Sequence, residues 1–248
     1  MAYIQKKNLA NPGNYGGRRD LDAIKYIVIH YTANDGDTDE SNGAYFHNNV
    51  VKASAHYFVD DDSVTVSVND EFTAWSVGGK KYPDCVKTGG GKYYGKCTNA
   101  NSISIELCDD VKNGRVYPSA GTIANAIELV KKLMKKYGIP AANVIRHFDV
   151  NGKPCPAYWC GTSAKDKQWK TEFWDKLNGN VEFKPYLVRV TENDLNVRKG
   201  PGVKYDIVKK VQKGEVFTII GEEMNGTTKW LKLKSGIGYI SAAYTEKV

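Results

Sequence analysis

The run Tyr26–Tyr31 is the sequence feature that most constrains the fold of this chain. It is a continuous strand-forming segment, typical of a central strand buried on both faces of a sheet. Ser102–Leu107 alternates strictly, as expected of a second strand. Apolar residues spaced 4, 3, 4 and 3 apart from Ile123 to Tyr137 predict an amphipathic helix, which Gly138 and Pro140 end. We therefore expect an α/β fold, with a mixed central β-sheet flanked by α-helices.

Two shorter segments add to this sheet. Residues 56–59 and 64–68 flank an acidic turn at residues 60–63, which predicts a hairpin. Residues 144–147 form another short strand candidate. Polar and potentially reactive residues follow several of these strands, and the ends of strands are where sheet proteins tend to place sites.

The pattern changes beyond residue 180. Short alternating runs at residues 186–191, 207–211, 215–220, 230–234 and 238–240 are predicted strands. Turn residues such as Asn225-Gly226 and Ser235-Gly236 separate them, which predicts a small all-β barrel. The polar stretch at residues 178–180 is interpreted as a linker. We expect one domain at residues 1–177 and a second at residues 181–248, which suits a chain of 248 residues.

Composition narrows the classes of function. Hydrophobic residues make up 41% and charged residues 25% of the chain, as in globular proteins. It has no apolar run of about 18 residues, so no membrane insertion is expected. The net charge of +7 suits an anionic polymer but is weak evidence for nucleic acid, which we do not expect as a partner.

The N-terminus and the cysteines bear on the compartment. Residues 1–19 lack an apolar segment of the kind found in secretory signal peptides. The five cysteines are an odd number and contain no C-x-x-C pair, so a disulfide framework is not expected as the main stabiliser. Whether Cys85 and Cys97 pair stays open. We expect synthesis in the cytoplasm without a signal peptide.

Three residues could together bind a metal ion. His30 ends the predicted central strand, His147 ends another candidate strand, and Cys155 follows eight residues later. Two imidazoles and a thiolate suit zinc, and three protein ligands leave the fourth position open, as in catalytic sites. The alternative is that His30 is a hydrogen-bonded structural histidine, because such long spacings also arise by chance.

Glu106 lies in the alternating strand. It shares a face with Ser104 and Cys108, opposite the apolar face. A carboxylate on a central strand must face water or a site. An edge strand or a solvated face is the alternative explanation.

Five ordered segments resemble a known family. They are YIVIHYT from Tyr26, SAHYFV from Ser54, TAWSVG from Thr73, SISIEL from Ser102 and RHFDVNGKPCP from Arg146. Together they resemble the zinc-dependent N-acetylmuramoyl-L-alanine amidases shared by phage lysozyme-like amidases and peptidoglycan recognition proteins. The segments LNVRKGPG from Leu195 and GYI from Gly238 resemble bacterial SH3-like cell-wall-binding domains.

The resemblance implies a role for each candidate residue. It implies that His30, His147 and Cys155 bind Zn²⁺, which lowers the pKa of bound water to about 7. It places Glu106 as the proton-transfer group and Lys153 as the group that stabilises the oxyanion.

The third segment also bears on substrate contact. It often lines the substrate groove in the family, which makes Trp75 a candidate substrate contact. Two positions depart from the family pattern: Ala55 stands where some members have a catalytic tyrosine, and Ser76 where members often have histidine. The first departure shifts proton transfer onto Glu106.

The implied function is a peptidoglycan hydrolase that cleaves the amide between N-acetylmuramic acid and L-alanine. Without a signal peptide, a phage or prophage endolysin that reaches a Gram-positive cell wall after release at lysis fits best. One alternative is a non-catalytic peptidoglycan-recognition protein, although such members usually lack the cysteine ligand found here as Cys155. A second alternative is a papain-like cysteine peptidase that uses Cys155 or Cys85.

Overall fold

The structure is a computed structural model that describes residues 3–85, 87–110, 116–177, 185–225 and 228–248. The chain divides into two compact units, Met1–Asn178 and Gly179–Val248. The expected linker at residues 178–180 lies outside the described residues, so the domain boundaries stay a prediction. Within the described ranges, no helix has the length and apolar character needed to cross a membrane.

The N-terminal unit contains eight described strands and five described α-helices. The strands are β1 (Ile4–Lys7), β2 (Tyr15–Arg18), β3 (Tyr26–Tyr31), β4 (Tyr57–Val59), β5 (Ser63–Val66), β6 (Phe72–Ala74), β7 (Ser102–Leu107) and β8 (Val144–Arg146). The helices are α1 (Asp39–Asn48), α2 (Ala120–Tyr137), α3 (His147–Asn151), α4 (Ser163–Trp169) and α5 (Asp175–Leu177), with a π-helical segment, Lys170–Trp174, between the last two. Six strands form a mixed sheet in the order β1-β5-β4-β7-β3-β8, and β2 pairs with β6.

The central position of β3 follows from its sequence. Strand β3 pairs in parallel with β7 on one side and β8 on the other. Ile27 and Ile29 enter the main core on one face, and Val28 packs in a smaller cluster with Ile145 on the other. Both faces are therefore covered, as the continuous apolar run predicts.

Helices complete the main core. Helix α2 begins at the N-cap Ser119 and ends where Gly138 adopts a left-handed conformation, and its Ile127 and Val130 pack against the sheet. Trp159 contributes the largest fully buried side chain of this core. The prediction of a mixed sheet flanked by helices is confirmed.

Helix α1 is attached to the β4–β5 hairpin through buried carboxylates. Asp39 accepts hydrogen bonds from the hydroxyls of Ser63 at 2.9 Å and Thr65 at 2.7 Å. Asp60 accepts one from the backbone N–H of Asp39 at 3.1 Å. Burial raises the pKa of Asp39 to about 6. These bonds hold α1 where it forms one wall of the groove described below.

The prediction for residues 144–147 is wrong at its last residue. His147 is the first residue of α3, whereas the strand β8 ends at Arg146. The reason is the Asp149 carboxylate, which accepts the backbone N–H of Arg146 at 2.8 Å and its guanidinium Nε at 2.9 Å. This carboxylate caps a new helix, and the chain turns away from the sheet.

The C-terminal unit is all β, as expected. Its described strands are β9 (Tyr186–Val190), β10 (Leu195–Arg198), β11 (Ile207–Val211), β12 (Val216–Asn225), β13 (Thr228–Leu233), β14 (Tyr239–Ser241) and β15 (Thr245–Lys247). They form one antiparallel sheet in the order β11-β10-β14-β13-β12-β9-β15. Its core includes Val197, Ile219 and Ile240, none of which is exposed.

Candidate metal centre and groove

Three potential metal ligands meet at one end of the sheet. His30 lies at the end of β3, and His147 opens α3 directly after β8, the neighbouring parallel strand. Cys155 lies four residues beyond α3. Their ligand-capable atoms all lie within 4.8 Å of one another, and Cys155 Sγ is 3.8 Å from His30 Nδ1. The structure therefore brings together three residues that are far apart in the sequence.

The burial of these residues suits metal ligands. His30, His147 and Cys155 are only 2 to 3% exposed. Burial lowers the pKa of His30 well below its usual value and that of His147 to about 3, and the charge of Lys153 acts in the same direction. Both imidazoles are thus neutral at pH 7, the form that binds metal.

Unpartnered nitrogens in this cluster support the same conclusion. Among the described residues, neither His30 Nε2 nor either ring nitrogen of His147 has a hydrogen-bond partner. A buried polar group left without a partner costs about 1–3 kcal/mol. The donor set and its spacing fit zinc, for which bond lengths of 2.0–2.3 Å place tetrahedral ligand atoms roughly 3.3–3.7 Å apart. The unpartnered nitrogens and the donor set argue against the alternative that His30 is only a hydrogen-bonded structural histidine.

Glu106 stands beside the cluster because of the strand register. It is paired with His30 on β3 and with Phe58 on β4, so β7 is an interior strand and not an edge. Glu106 Oε1 is 3.8 Å from His30 Nδ1, and the side chain is 20% exposed. Burial raises the pKa of Glu106 to about 8, although the charge of Lys153 opposes this shift. Oε2 has no hydrogen-bond partner among the described residues.

Lys153 and Trp75 line the central cavity beside these ligands. This cavity, of about 270 Å³, is also lined by His30, Glu106 and Cys155. Lys153 is exposed, and its backbone N–H donates to Asn151 Oδ1 at 3.0 Å. The sixth predicted residue, His147, adjoins the cavity through His30, because the centroids of the two rings are 4.7 Å apart. The structure therefore brings all six predicted site residues to one place.

Trp75 is held in place by its backbone. Its N–H donates to the Ser54 hydroxyl, and the Ser54 N–H donates to its carbonyl, both at 3.1 Å. The next residue, Ser76, hydrogen-bonds through its hydroxyl to Ser104 on β7. Asn99 Oδ1 accepts the Ser76 N–H at 3.1 Å. The half-buried indole is therefore presented to the cavity on a fixed segment.

Two larger clefts adjoin the central cavity. The helix-side cleft, of about 600 Å³, lies against α1 and contains Asp37, Asn42 and Glu106. The basic cleft, of about 510 Å³, contains Lys80 and Lys81. Lys153 lines the central cavity and both clefts. The cavity and the two clefts therefore form one groove across the His30, His147 and Cys155 cluster, which is called the metal cluster below.

Four residues of these clefts were not predicted as site residues: Asp37, Asn42, Lys80 and Lys81. The sequence does carry a signal for the basic cleft, because Lys80 and Lys81 directly follow the turn-forming pair Gly78-Gly79. In the structure, Gly79 has a φ of 103°. No comparable signal identifies Asp37, whose carboxylate is held by the Thr32 hydroxyl at 3.1 Å and the Asp109 N–H at 3.2 Å.

The other two histidines, His47 and His56, lie outside the metal cluster. His47 is exposed, and its Nδ1 hydrogen-bonds to the Leu9 carbonyl at 2.7 Å. His56 is fully buried beneath the site, where its Nδ1 accepts the Ser104 N–H at 3.0 Å. All five cysteines, including Cys85 and Cys97, are buried free thiols.

Comparisons with known proteins agree with this geometry. The family described as N-acetylmuramoyl-L-alanine amidase matches residues 20–158, and the bacterial SH3 domain matches residues 193–246. The amidase CwlL of Bacillus licheniformis is 32% identical over 64% of this chain and 43% of its own length. BlyA of Bacillus subtilis strain 168, also named as an N-acetylmuramoyl-L-alanine amidase, is 27% identical over 98% of this chain and 71% of its own length.

A solved structure has a fold similar to that of this chain. A mutant form of PlyL is 27% identical, with a TM-score of 0.54, over 72% of this chain and 99% of that one. The present chain spans less than half the length of CwlL. The family match covers more than half of this chain, including His30, Glu106, His147 and Cys155. The chain therefore belongs to the N-acetylmuramoyl-L-alanine amidase family.

Proposed function

We propose that this protein is a zinc-dependent N-acetylmuramoyl-L-alanine amidase of peptidoglycan. The observation that carries the proposal is the buried cluster of His30, His147 and Cys155, open to a groove and adjacent to Glu106. Three neutral or anionic donors with one side open are typical of catalytic zinc sites. The bond cleaved is the amide between the lactyl group of N-acetylmuramic acid and L-alanine.

Zinc held by these ligands would supply Lewis-acid chemistry and make water nucleophilic near neutral pH. Glu106 Oε2 is free to take a proton from the attacking water and to deliver it to the departing amine of L-alanine. A dication held by the ligands would oppose the effect of burial on the pKa of Glu106, so that its carboxylate can accept this proton and pass it on.

Two further residues act on the substrate. Lys153 Nζ, carried on an exposed side chain, stabilises negative charge on the amide oxygen, a contribution worth roughly 3–4 kcal/mol in comparable sites. Trp75 offers an apolar face to the groove and orients the muramyl group.

We also propose where the enzyme acts. The Bacillus relatives and the bacterial SH3 match support a Gram-positive cell wall as the target. The C-terminal unit would bind the wall and raise the local concentration of the catalytic unit. Action as an endolysin, released from the cytoplasm at lysis, fits this arrangement.

Digestion of purified Gram-positive wall by the full chain tests the proposal. We expect free L-alanine amino groups to appear without new reducing sugar ends, and about one zinc per chain in the purified protein. New reducing ends would contradict the amidase assignment. Wall binding without hydrolysis or zinc would indicate the non-catalytic recognition protein instead.

A further inference from the structure

The two clefts of the groove differ in charge. The helix-side cleft contains the carboxylates of Asp37 and Glu106. The basic cleft adds Lys80 and Lys81 to Lys153, which lines both clefts, and no carboxylate is found among the described residues that line it. One arm of the groove is therefore suited to an anionic group, while the other is not.

The basic cleft opens directly at the metal cluster. His147 forms part of its wall, and Lys153 joins it to the central cavity. A substrate whose reacting amide lies at the cluster would thus extend straight into this cleft. In an extended peptide, two residues span about 7 Å, so the group that reaches the cleft belongs to one of the first residues beyond the cleaved bond.

The loop that carries the two lysines is fixed to the helix that carries His147. The N–H of Tyr82 donates to the Asn151 carbonyl at 2.8 Å, and that of Gly91 donates to the Phe148 carbonyl at 3.0 Å. Both carbonyls belong to α3. The backbone of the lysine loop therefore keeps its position relative to His147.

Lys81 is also positioned by packing. A Cβ at Gly91 would lie 2.7 Å from Lys81 Cε and 2.9 Å from Cys85 Sγ. Gly91 therefore leaves the room in which the aliphatic part of Lys81 lies. Its ammonium group is directed by a packed side chain and is not only a freely moving surface charge.

We propose that Lys80 and Lys81 determine specificity by binding a carboxylate of the stem peptide. The inference rests on the proposed function. The lactyl carboxyl is consumed in the cleaved amide, so the sugar side of the bond is uncharged there. The peptide continues from L-alanine into a γ-linked D-glutamate whose α-carboxyl is either free or amidated. The free acid complements the basic cleft, and the amide does not.

Two matched substrates and two variants test this. The substrates are muramyl-L-alanyl-γ-D-glutamyl-L-lysine with a free α-carboxylate on glutamate and the same compound with an α-carboxamide. We expect the wild type to prefer the acid by about 5- to 10-fold in kcat/KM, mainly through KM. The preference should shrink as salt rises from 0.05 to 0.5 M, because exposed charges are then screened.

The variant Lys80→Gln/Lys81→Gln should lose this preference, so that its kcat/KM on the acid falls to that on the amide. A far-UV circular dichroism spectrum and a urea midpoint equal to those of the wild type show that the variant is folded. Lys131→Gln/Lys135→Gln removes two exposed lysines of α2 and should keep the wild-type preference.

Each contrary result is distinguishable. Hydrolysis of neither substrate by the wild type would overturn the proposed function and the inference with it. Equal kcat/KM on both substrates would overturn the role of the cleft and leave the amidase activity standing. Persistence of the preference in Lys80→Gln/Lys81→Gln would assign it to other residues.

Discussion

His56 should make the catalytic unit sensitive to acid. Its Nδ1 accepts the Ser104 N–H at 3.0 Å, so the proton of the neutral ring lies on Nε2, 3.2 Å from the Phe72 carbonyl. The Arg19 guanidinium lies 2.8 Å from the same nitrogen. Protonating Nδ1 would break the bond to Ser104 and add a buried charge beside Arg19. Burial, followed by Arg19, lowers the pKa of His56 to about 3.

The magnitude follows from linkage. An unfolded chain protonates histidine near pH 6.5, whereas the folded state keeps His56 neutral until about pH 3. The unfolded state therefore binds more protons in this window, and stability falls as the pH falls below 6.5. Between pH 7 and pH 5, His56 alone should lower the free energy of unfolding by about 2 kcal/mol.

The variant His56→Asn isolates this effect. Asparagine can place an oxygen near the Nδ1 position to accept the Ser104 N–H, and it does not titrate. The variant should be less stable at pH 7 by about 1–3 kcal/mol because it leaves a cavity. However, it should lose about 2 kcal/mol less than the wild type on going to pH 5.

Urea unfolding at pH 7, 6 and 5 measures the difference. Helical circular dichroism is the suitable signal, because the described helices longer than three residues all lie in the N-terminal unit. His47→Gln, at an exposed histidine, should reproduce the wild-type pH dependence. If wild type and His56→Asn lost stability in parallel, the buried neutral histidine would not be the cause.

Three further predictions concern the site and its support. Glu106→Gln should lower kcat at least about 100-fold while zinc content stays unchanged, as measured by amine release and metal analysis. Cys155→Ser should lose zinc on dialysis along with activity, and a variant that kept both would exclude Cys155 as a ligand. Gly152→Ala should destabilise the N-terminal unit by roughly 2–4 kcal/mol in urea, since φ is 85° and the new Cβ would lie 2.0 Å from Cys85 Cβ. Gly17→Ala, with no atom within 4 Å of the new Cβ, should be near neutral.

Much of the sheet could be predicted from local patterns. The strands around Tyr26–Tyr31 and Ser102–Leu107 and the helix ending at Tyr137 are confirmed. Patterns of this kind report which face of an element is buried, and that depends mainly on neighbouring residues. In the C-terminal unit, β10 and β15 were not predicted as strands. They are short, at four and three residues, so their alternation is too brief to stand out.

The candidate site was only partly predictable. Residue types and ordered motifs identified His30, His147, Cys155, Glu106, Lys153 and Trp75. Their distances could not be predicted, because they depend on the register that sets Glu106 beside His30 and β8 beside β3. The helical start at His147 was missed, since it depends on the Asp149 carboxylate as a cap.

The sequence by itself determined the central strand, the amphipathic helix, the all-β texture beyond residue 180 and the set of candidate ligands. Each of these depends on side-chain type and short spacing. Only the tertiary structure decided that the candidate ligands meet, that Glu106 stands on an interior strand, and that Lys80 and Lys81 lie in a cleft beside these residues. The physical reason is that strand pairing and the attachment of the lysine loop to α3 join residues distant in sequence, through backbone hydrogen bonds that any residue but proline can make.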